Sequence, residues 1–289
     1  MLDRNVITEF YQNRTILLTG VTGFLGQAIA AKILRDLSQI QRLYVLVRSK
    51  TGRGGTTLSA MERLEEEFFN SSVLDRFKRS EPDAYQQVRA KVVAVPGDIS
   101  QHRLGIDDNL YADLQSAVDL VLSVAATVEF DAALDLSIEL NTLGPQRILE
   151  FIQGCRKEPV LVHVSTAYVN GCRSGSIPEE PLPTDRTIAQ LQTNSATDTF
   201  DPETEIKSCF DFCIRVRGDA SSPRMRRQFE NEVRQQNSTR HVSVSRREKL
   251  VKGKAHRWIH DQLVSEGMRR AKGHGWNDIY TFTKAMGEQ

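Results

Sequence analysis

Tyr280 and Lys284 stand four residues apart in this 289-residue chain. If Asn277 or Asp278 caps a helix there, both side chains share one face. Such a pair has a chemistry. An ammonium beside the phenol, with an oxidised nicotinamide near, favours tyrosinate and draws the tyrosine pKa down from about 10, so Tyr280 would act as general acid toward a carbonyl oxygen. Lys284 would also hold the nicotinamide ribose. Ser165-Thr166 closes an apolar run, 160–164, and Thr166 would donate a second hydrogen bond to that oxygen as negative charge develops on it. Tyr-x-x-x-Lys alone recurs by chance in many chains; the rest of the sequence has to supply a coenzyme.

It does so near its start. Gly20-Val21-Thr22-Gly23-Phe24-Leu25-Gly26 follows the apolar run Thr15-Ile16-Leu17-Leu18-Thr19 and opens a stretch of helical periodicity, 24–37. Glycines between strand and helix permit a tight turn, let backbone approach a pyrophosphate and allow close helix packing, while the helix N-terminus supplies N–H donors. Gly20, Thr22, Gly23, Phe24, Leu25 and Gly26 are therefore read as the dinucleotide turn. At the end of the second apolar run, 43–47, an NAD site would place Asp or Glu; here stand Arg48, Ser49 and Lys50, which suit the 2′-phosphate of NADPH. By position, Asp98-Ile99 would contact the adenine, and Ala125-Ala126-Thr127 would line the cofactor trough. Asn141 reads either as a tie to backbone or water in the site or as an exposed polar residue.

The elements that must position these residues alternate. Strands at 15–19, 43–47, 91–95, 120–124 and 160–164 are separated by helices at 24–37, 58–90 (broken near 70–72 and at Pro82), 110–117 and 132–154, with Pro145 kinking the last or beginning a second segment. That pattern predicts an α/β fold, a Rossmann-like doubly wound parallel sheet covered on both faces. After Gly171 the alternation stops. Residues 172–275 hold five of the nine prolines and two helices, 224–236 and 246–272, and read as a large, mostly helical or irregular insertion. A sheet-like pattern resumes over Tyr280-Thr281-Phe282-Thr283-Lys284. The expected organisation is an NADP-binding domain over 1–171, the insertion over 172–275, and a Tyr/Lys helix over 276–289 that returns to the first domain, with the sheet incomplete at its C-terminal side.

Composition bounds the rest. Hydrophobic residues at 39% and charged residues at 26% exclude collagen-like, low-complexity and wholly disordered chains. No apolar stretch approaches the roughly 20 residues of a membrane span, no export signal is visible, and four cysteines without a C-x-x-C pair suit free thiols in a reducing cytoplasm. The net charge of +1 conceals a local excess: residues 215–257 carry thirteen Lys/Arg against four Asp/Glu. That block reads as a phosphate- or lipid-facing surface or as a solvated arm. With few aromatics it argues against nucleic-acid recognition. His256 and His260 lack the glutamate of a zinc protease motif, Cys209 and Cys213 lack nearby ligands, and Trp258, Ile259, Leu263 and Met268 form a packing stripe; no metal site is expected.

The glycine turn, Val164-Ser165-Thr166-Ala167-Tyr168-Val169-Asn170-Gly171 and Tyr280 to Lys284 together resemble the extended short-chain dehydrogenase/reductases. Within them, HVSTAYVNG, AATVEFD and GWNDIYTFTKAMGEQ are similar to the alcohol-forming fatty acyl-CoA reductases, particularly the bacterial ones. The resemblance covers nearly the whole chain, least securely over 172–250. It implies catalytic Thr166, Tyr280 and Lys284, NADPH as hydride donor, a long-chain acyl-CoA as substrate, reduction to aldehyde and then alcohol, and a large insertion between threonine and tyrosine. Peripheral membrane contact through 215–257 accords with such a substrate. A member of that family continues into further strands and a substrate region, so the chain looks like an N-terminal portion, with weak or absent turnover by itself as the expectation. A carrier-protein thioester reductase and a nucleotide-sugar epimerase or dehydratase use the same residues and remain open, as does a NADPH-binding domain without turnover.

Overall fold

A computed structural model describes residues 4–51, 57–193, 199–236 and 243–289. The chain divides into two compact units, Met1–Ala126 with Leu143–Ser165, and Thr127–Thr142 with Thr166–Gln289.

The first unit is built on five parallel strands, β1 (Thr15–Thr19), β2 (Arg42–Val47), β3 (Val92–Pro96), β4 (Leu120–Ser123) and β5 (Val160–His163), in the order β3-β2-β1-β4-β5. Every residue of β1 is buried, as expected of a central parallel strand covered on both faces. Helix α1 (Phe24–Asp36) leads from β1 to β2 and buries Gly26, Ala30, Ile33 and Leu34. The strand order runs outward from β1 in both directions, so the switch point lies at the carboxyl ends of β1 and β4, where open α/β sheets take their ligands. The five strands and the order agree with the fold class expected.

Between β2 and β3 the helical stretch is broken as its breakers dictate. A helix at Ala60–Leu64 is started by a Ser59/Glu62 capping box, continues as a π-helical turn at Glu65–Phe69, and is followed by a helix at Asp75–Ser80 and another at Pro82–Arg89 with proline in its first turn. Helix α2 (Leu134–Asn141) and helix α3 (Leu143–Gln153) replace the single long helix of 132–154, with the break at Thr142. Pro145 is the third residue of α3, where its missing N–H is one the helix would leave unbonded anyway. Proline thus begins a second segment.

The second unit is helical: α2, α4 (Pro202–Ser221), α5 (Pro223–Gln236), α6 (Val244–His274) and α7 (Ile279–Glu288). Three of these, α5, α6 and α7, were expected at nearly these limits. The sequence reading missed α4, whose buried stripe is Cys209, Cys213, Val216 and Ala220, small or weakly apolar residues in a charged segment. Arg270 of α6 crosses to α4, donating to Glu205 Oε1 at 2.9 Å, and binds Glu266 at 2.7 Å within α6. Burial would raise the Glu205 carboxyl, but hydrogen bonds from His274 and Arg270 hold it down at about 2. Of the stripe expected on α6, Leu263 is buried and Trp258, Ile259 and Met268 are half-buried, while Gly267 and Ala271 complete the buried positions; Trp258 packs on Phe229 of α5 with ring centroids 6.2 Å apart. Residues 280–284 are helical, as the Tyr/Lys helix requires and the sheet-like pattern does not: Asp278 caps α7, accepting from Thr281 N at 2.8 Å while Thr281 Oγ1 accepts from Asp278 N at 3.3 Å. A β-branched alternation is overridden by that cap and by the burial of almost every residue from Ile279 to Met286.

Candidate active site

Tyr280 and Lys284 lie one turn apart on α7, as the capping residue Asp278 requires. Lys284 is 2% exposed, and burial pulls its ammonium down to about 8, with Glu288 opposing the shift. Tyr280 is half-buried, its ring meeting that of Phe130 edge-on at 5.8 Å. The turn Ala167–Asn170, which Thr166 opens, packs against α7. Thr166 Oγ1 accepts from Tyr168 N at 3.2 Å, which occupies a lone pair and leaves the hydroxyl proton to be donated. Trp276 fixes the same turn from the other side, its buried Nε1 donating to Val169 O at 2.7 Å, while Cys172 N donates to Gly275 O at 3.0 Å. The three residues read as catalytic therefore stand on two elements of one unit.

What seats α7 is Asn141, which is 1% exposed. Its Oδ1 accepts from Thr127 N at 2.9 Å, and its Nδ2 donates to Thr127 O at 3.1 Å and to Thr283 Oγ1 at 3.1 Å. Thr142 Oγ1 donates to Thr283 O at 2.8 Å. A Cβ on Gly287 would land on Asn141 O, so α7 crosses α2 at the closest approach glycine permits. The tie-to-backbone reading of Asn141 is the one realised. Thr283 and Trp276 were not singled out from sequence, because a threonine and a tryptophan in an apolar stretch read simply as core.

In the first unit, Gly20 has φ +81°, and a Cβ there would come within 2.8 Å of Ala125 N. A Cβ on Gly26 would reach 2.5 Å from Gly20 C and 2.9 Å from Val21 N, whereas one on Gly23 meets only Gly20 O at 3.4 Å. Thr19, wholly buried, clamps the far side of the crevice through Oγ1, which accepts from Val124 N and Ala125 N, each at 3.0 Å. Gly23 caps α1 with no side-chain hydrogen bond, and Gly23, Phe24 and Leu25 are exposed. This cradle of bare backbone at an uncapped helix start fits a pyrophosphate.

At the tip of β2, Arg48, Ser49 and Lys50 are exposed. Arg48 Nη1 is 3.8 Å from Asp98 Oδ2, and Lys50 Nζ is 3.0 Å from Glu67 Oε1. Asp98 also caps its own turn, Oδ1 accepting from Ser100 N at 2.9 Å and Ser100 Oγ at 2.8 Å. The side chain of Ile99 is buried, while Ala125 and Ala126 are half-buried beyond β4. Arg63, which was not singled out from sequence, is 9% exposed and donates to Arg48 O at 3.0 Å.

A parallel sheet with its glycine turn at the switch point, and a Tyr-x-x-x-Lys helix packed on a threonine-led turn, are together the attributes of the extended short-chain dehydrogenase/reductases, which bind a nicotinamide coenzyme. Within that class the chain belongs to the NAD-binding family described as male sterility protein, whose pattern matches residues 18–289. It is 33% identical over 281 residues to "Probable fatty acyl-CoA reductase 5" of Arabidopsis thaliana, covering 97% of this chain and 48% of that protein. To "Alcohol-forming fatty acyl-CoA reductase" of Simmondsia chinensis it is 29% identical over 290 residues, covering 100% of this chain and 50% of that protein. The terminal R domain from the myxalamid PKS-NRPS biosynthetic pathway, a solved structure, aligns at 30% identity and a TM-score of 0.47 over 60% of this chain and 40% of its own. The chain spans about half the length of the curated relatives it matches.

Proposed function

We propose that this chain carries the coenzyme and catalytic residues of an NADPH-dependent reductase of long-chain acyl-CoA thioesters, forming aldehyde and then alcohol. The observation that carries the reading is Lys284, a cation buried one turn from Tyr280 on a helix packed against the turn of Thr166. Exposed cations at the tip of β2 support the phosphorylated coenzyme, and the fatty acyl-CoA reductases among the relatives support the substrate class.

When bound, the coenzyme supplies hydride to the thioester carbonyl carbon. Tyr280 gives its proton to the carbonyl oxygen, and Thr166 donates a hydrogen bond to the same oxygen, so the charge that develops there meets two donors. Lys284, held by burial in a site that disfavours its charged form, favours tyrosinate once protonated and binds ribose hydroxyls. Collapse of the tetrahedral adduct expels the CoA thiol, and a second reduction of the aldehyde uses the same donors. No cysteine nucleophile is required, because hydride attacks the thioester carbon directly; Cys209 and Cys213 are buried, and burial raises their thiols to about 12 and about 11.

Among the described residues no helix is long and apolar enough to cross a membrane. The basic residues of α5 and the first half of α6 support peripheral contact with an anionic membrane, where long-chain substrates gather, in a cytoplasmic protein. Co-sedimentation with phosphatidylserine vesicles, lost in 0.5 M salt at roughly a 4 Å screening length, tests that contact. For the reaction, the test is NADPH-dependent release of CoA thiol that Tyr280→Phe abolishes.

A further inference from the structure

Lys50 is held by a carboxylate that serves another cation. Glu67 Oε1 is 3.0 Å from Lys50 Nζ, and the same group takes a two-pronged hydrogen bond from Arg63, Nε to Oε1 at 3.0 Å and Nη2 to Oε2 at 3.0 Å. Arg63 also donates through Nη1 to Arg48 O at 3.0 Å and through Nη2 to Thr22 Oγ1 at 3.4 Å. Its guanidinium thereby joins the glycine turn to the tip of β2. Glu67 lies in the π-helical turn Glu65–Phe69, a local irregularity of the kind that re-aims a side chain. Gln27 Nε2 of α1 donates to Glu67 O at 2.8 Å, which staples that turn to the helix of the glycine cradle. Burial raises the Glu67 carboxyl, but the hydrogen bonds from Arg63 and Lys50 outweigh it and lower the pKa, so the group is ionised at neutral pH.

We propose that Glu67 is a specificity-determining residue for the coenzyme, a fixed counter-anion that competes with the 2′-phosphate for Lys50 and so limits the preference for NADPH over NADH. The proposal rests on the reading of Arg48 and Lys50 as the 2′-phosphate site. Because Arg63 stays bonded to both oxygens of Glu67, Lys50 is able to turn to a phosphate without leaving the carboxylate unpaired. The negative charge stays in place. It repels a phosphate dianion and leaves a ribose hydroxyl, which is neutral, almost unaffected. Lys50 is exposed, so the repulsion is screened. With Lys50 turned to it the dianion carries a net single charge, so removing the Glu67 charge tightens NADPH binding by about three- to tenfold, taking an effective dielectric of roughly 40 to 80 at a separation of about 6 Å.

The test is titration of NADPH and NADH into the 289-residue chain, followed by coenzyme fluorescence, for the parent, Glu67→Gln and Lys50→Gln. Glu67→Gln is expected to lower the NADPH dissociation constant by about three- to tenfold with that for NADH unchanged within about twofold. A folded Glu67→Gln that binds NADPH no more tightly than the parent overturns the proposal. Lys50→Gln, at an exposed position that does not endanger folding, is expected to weaken NADPH binding by a similar factor and to spare NADH; no change there also overturns it. Parent protein that binds both coenzymes equally refutes the phosphate reading itself, a failure distinguished by its appearance before any substitution.

Discussion

Gly23 and Gly26 both belong to the turn proposed to hold the dinucleotide, yet their surroundings predict separable duties. At Gly26 a methyl group meets backbone, 2.5 Å from Gly20 C and 2.9 Å from Val21 N, and backbone is unable to rotate away as a side chain does. Gly26→Ala must therefore shift α1 away from β1 and open the packing around Ala30 and Leu34, at a cost of about 3 kcal/mol or more, the upper range of overpacking. At Gly23, φ is −92° and the nearest atom to an added Cβ is 3.4 Å away, which is ordinary contact. Gly23→Ala then changes stability by only about 1 kcal/mol or less, the loss of a tolerable N-cap. That methyl would nevertheless project from the exposed face on which a pyrophosphate must rest, so NADPH affinity is expected to fall about tenfold or more, or roughly 1.4 kcal/mol. Urea unfolding reads the first effect and coenzyme fluorescence the second. Gly26→Ala as stable as the parent, or Gly23→Ala with undiminished NADPH affinity, would refute the assignment.

Other consequences follow from burial and charge. Lys284 has a folded pKa of about 8 against 10.5 unfolded, so its cost is fully present below pH 8 and fades as pH rises toward 10.5. Lys284→Met is expected to stabilise the protein at pH 7 by about 1–3 kcal/mol in urea unfolding, with the difference shrinking as pH rises above about 8 and gone by about pH 10.5, while removing turnover. Glu205, held at about 2, contributes stability that is full above pH 4.5 and is lost as pH falls toward 2. Glu205→Gln should therefore flatten the acid limb of the stability curve by about 2–3 kcal/mol, as measured by unfolding between pH 2 and 6. Asn141→Ala leaves the half-buried Thr127 amide and carbonyl without their side-chain partner and empties a buried position; a loss of about 2–3 kcal/mol is expected in thermal or urea unfolding.

How far the sequence was legible depends on whether a residue acts through its neighbours in the chain or across the fold. The glycine turn and the five strands were legible because hydrophobic period and φ > 0 are local properties, and the Asp278 cap was named as one of two candidates. Helix α4 was not, since its buried stripe uses Cys209, Cys213 and Ala220, whose small side chains leave little periodic signal among charged residues. Arg63 and Glu67 look like an ordinary i, i+4 surface pair; only the fold turns them toward the tip of β2. Asn141 satisfies its amide with Thr127 and Thr283, and a partner 142 residues away leaves no local trace.

The most direct test of the central claim is NADPH-dependent release of free thiol from a long-chain acyl-CoA, measured on the parent and on Tyr280→Phe with coenzyme binding recorded on the same samples. The account predicts release that Tyr280→Phe reduces by about a hundredfold or more, to background where the parent is slow, while NADPH binding stays intact. Thiol release at the parent rate without the Tyr280 hydroxyl would contradict it.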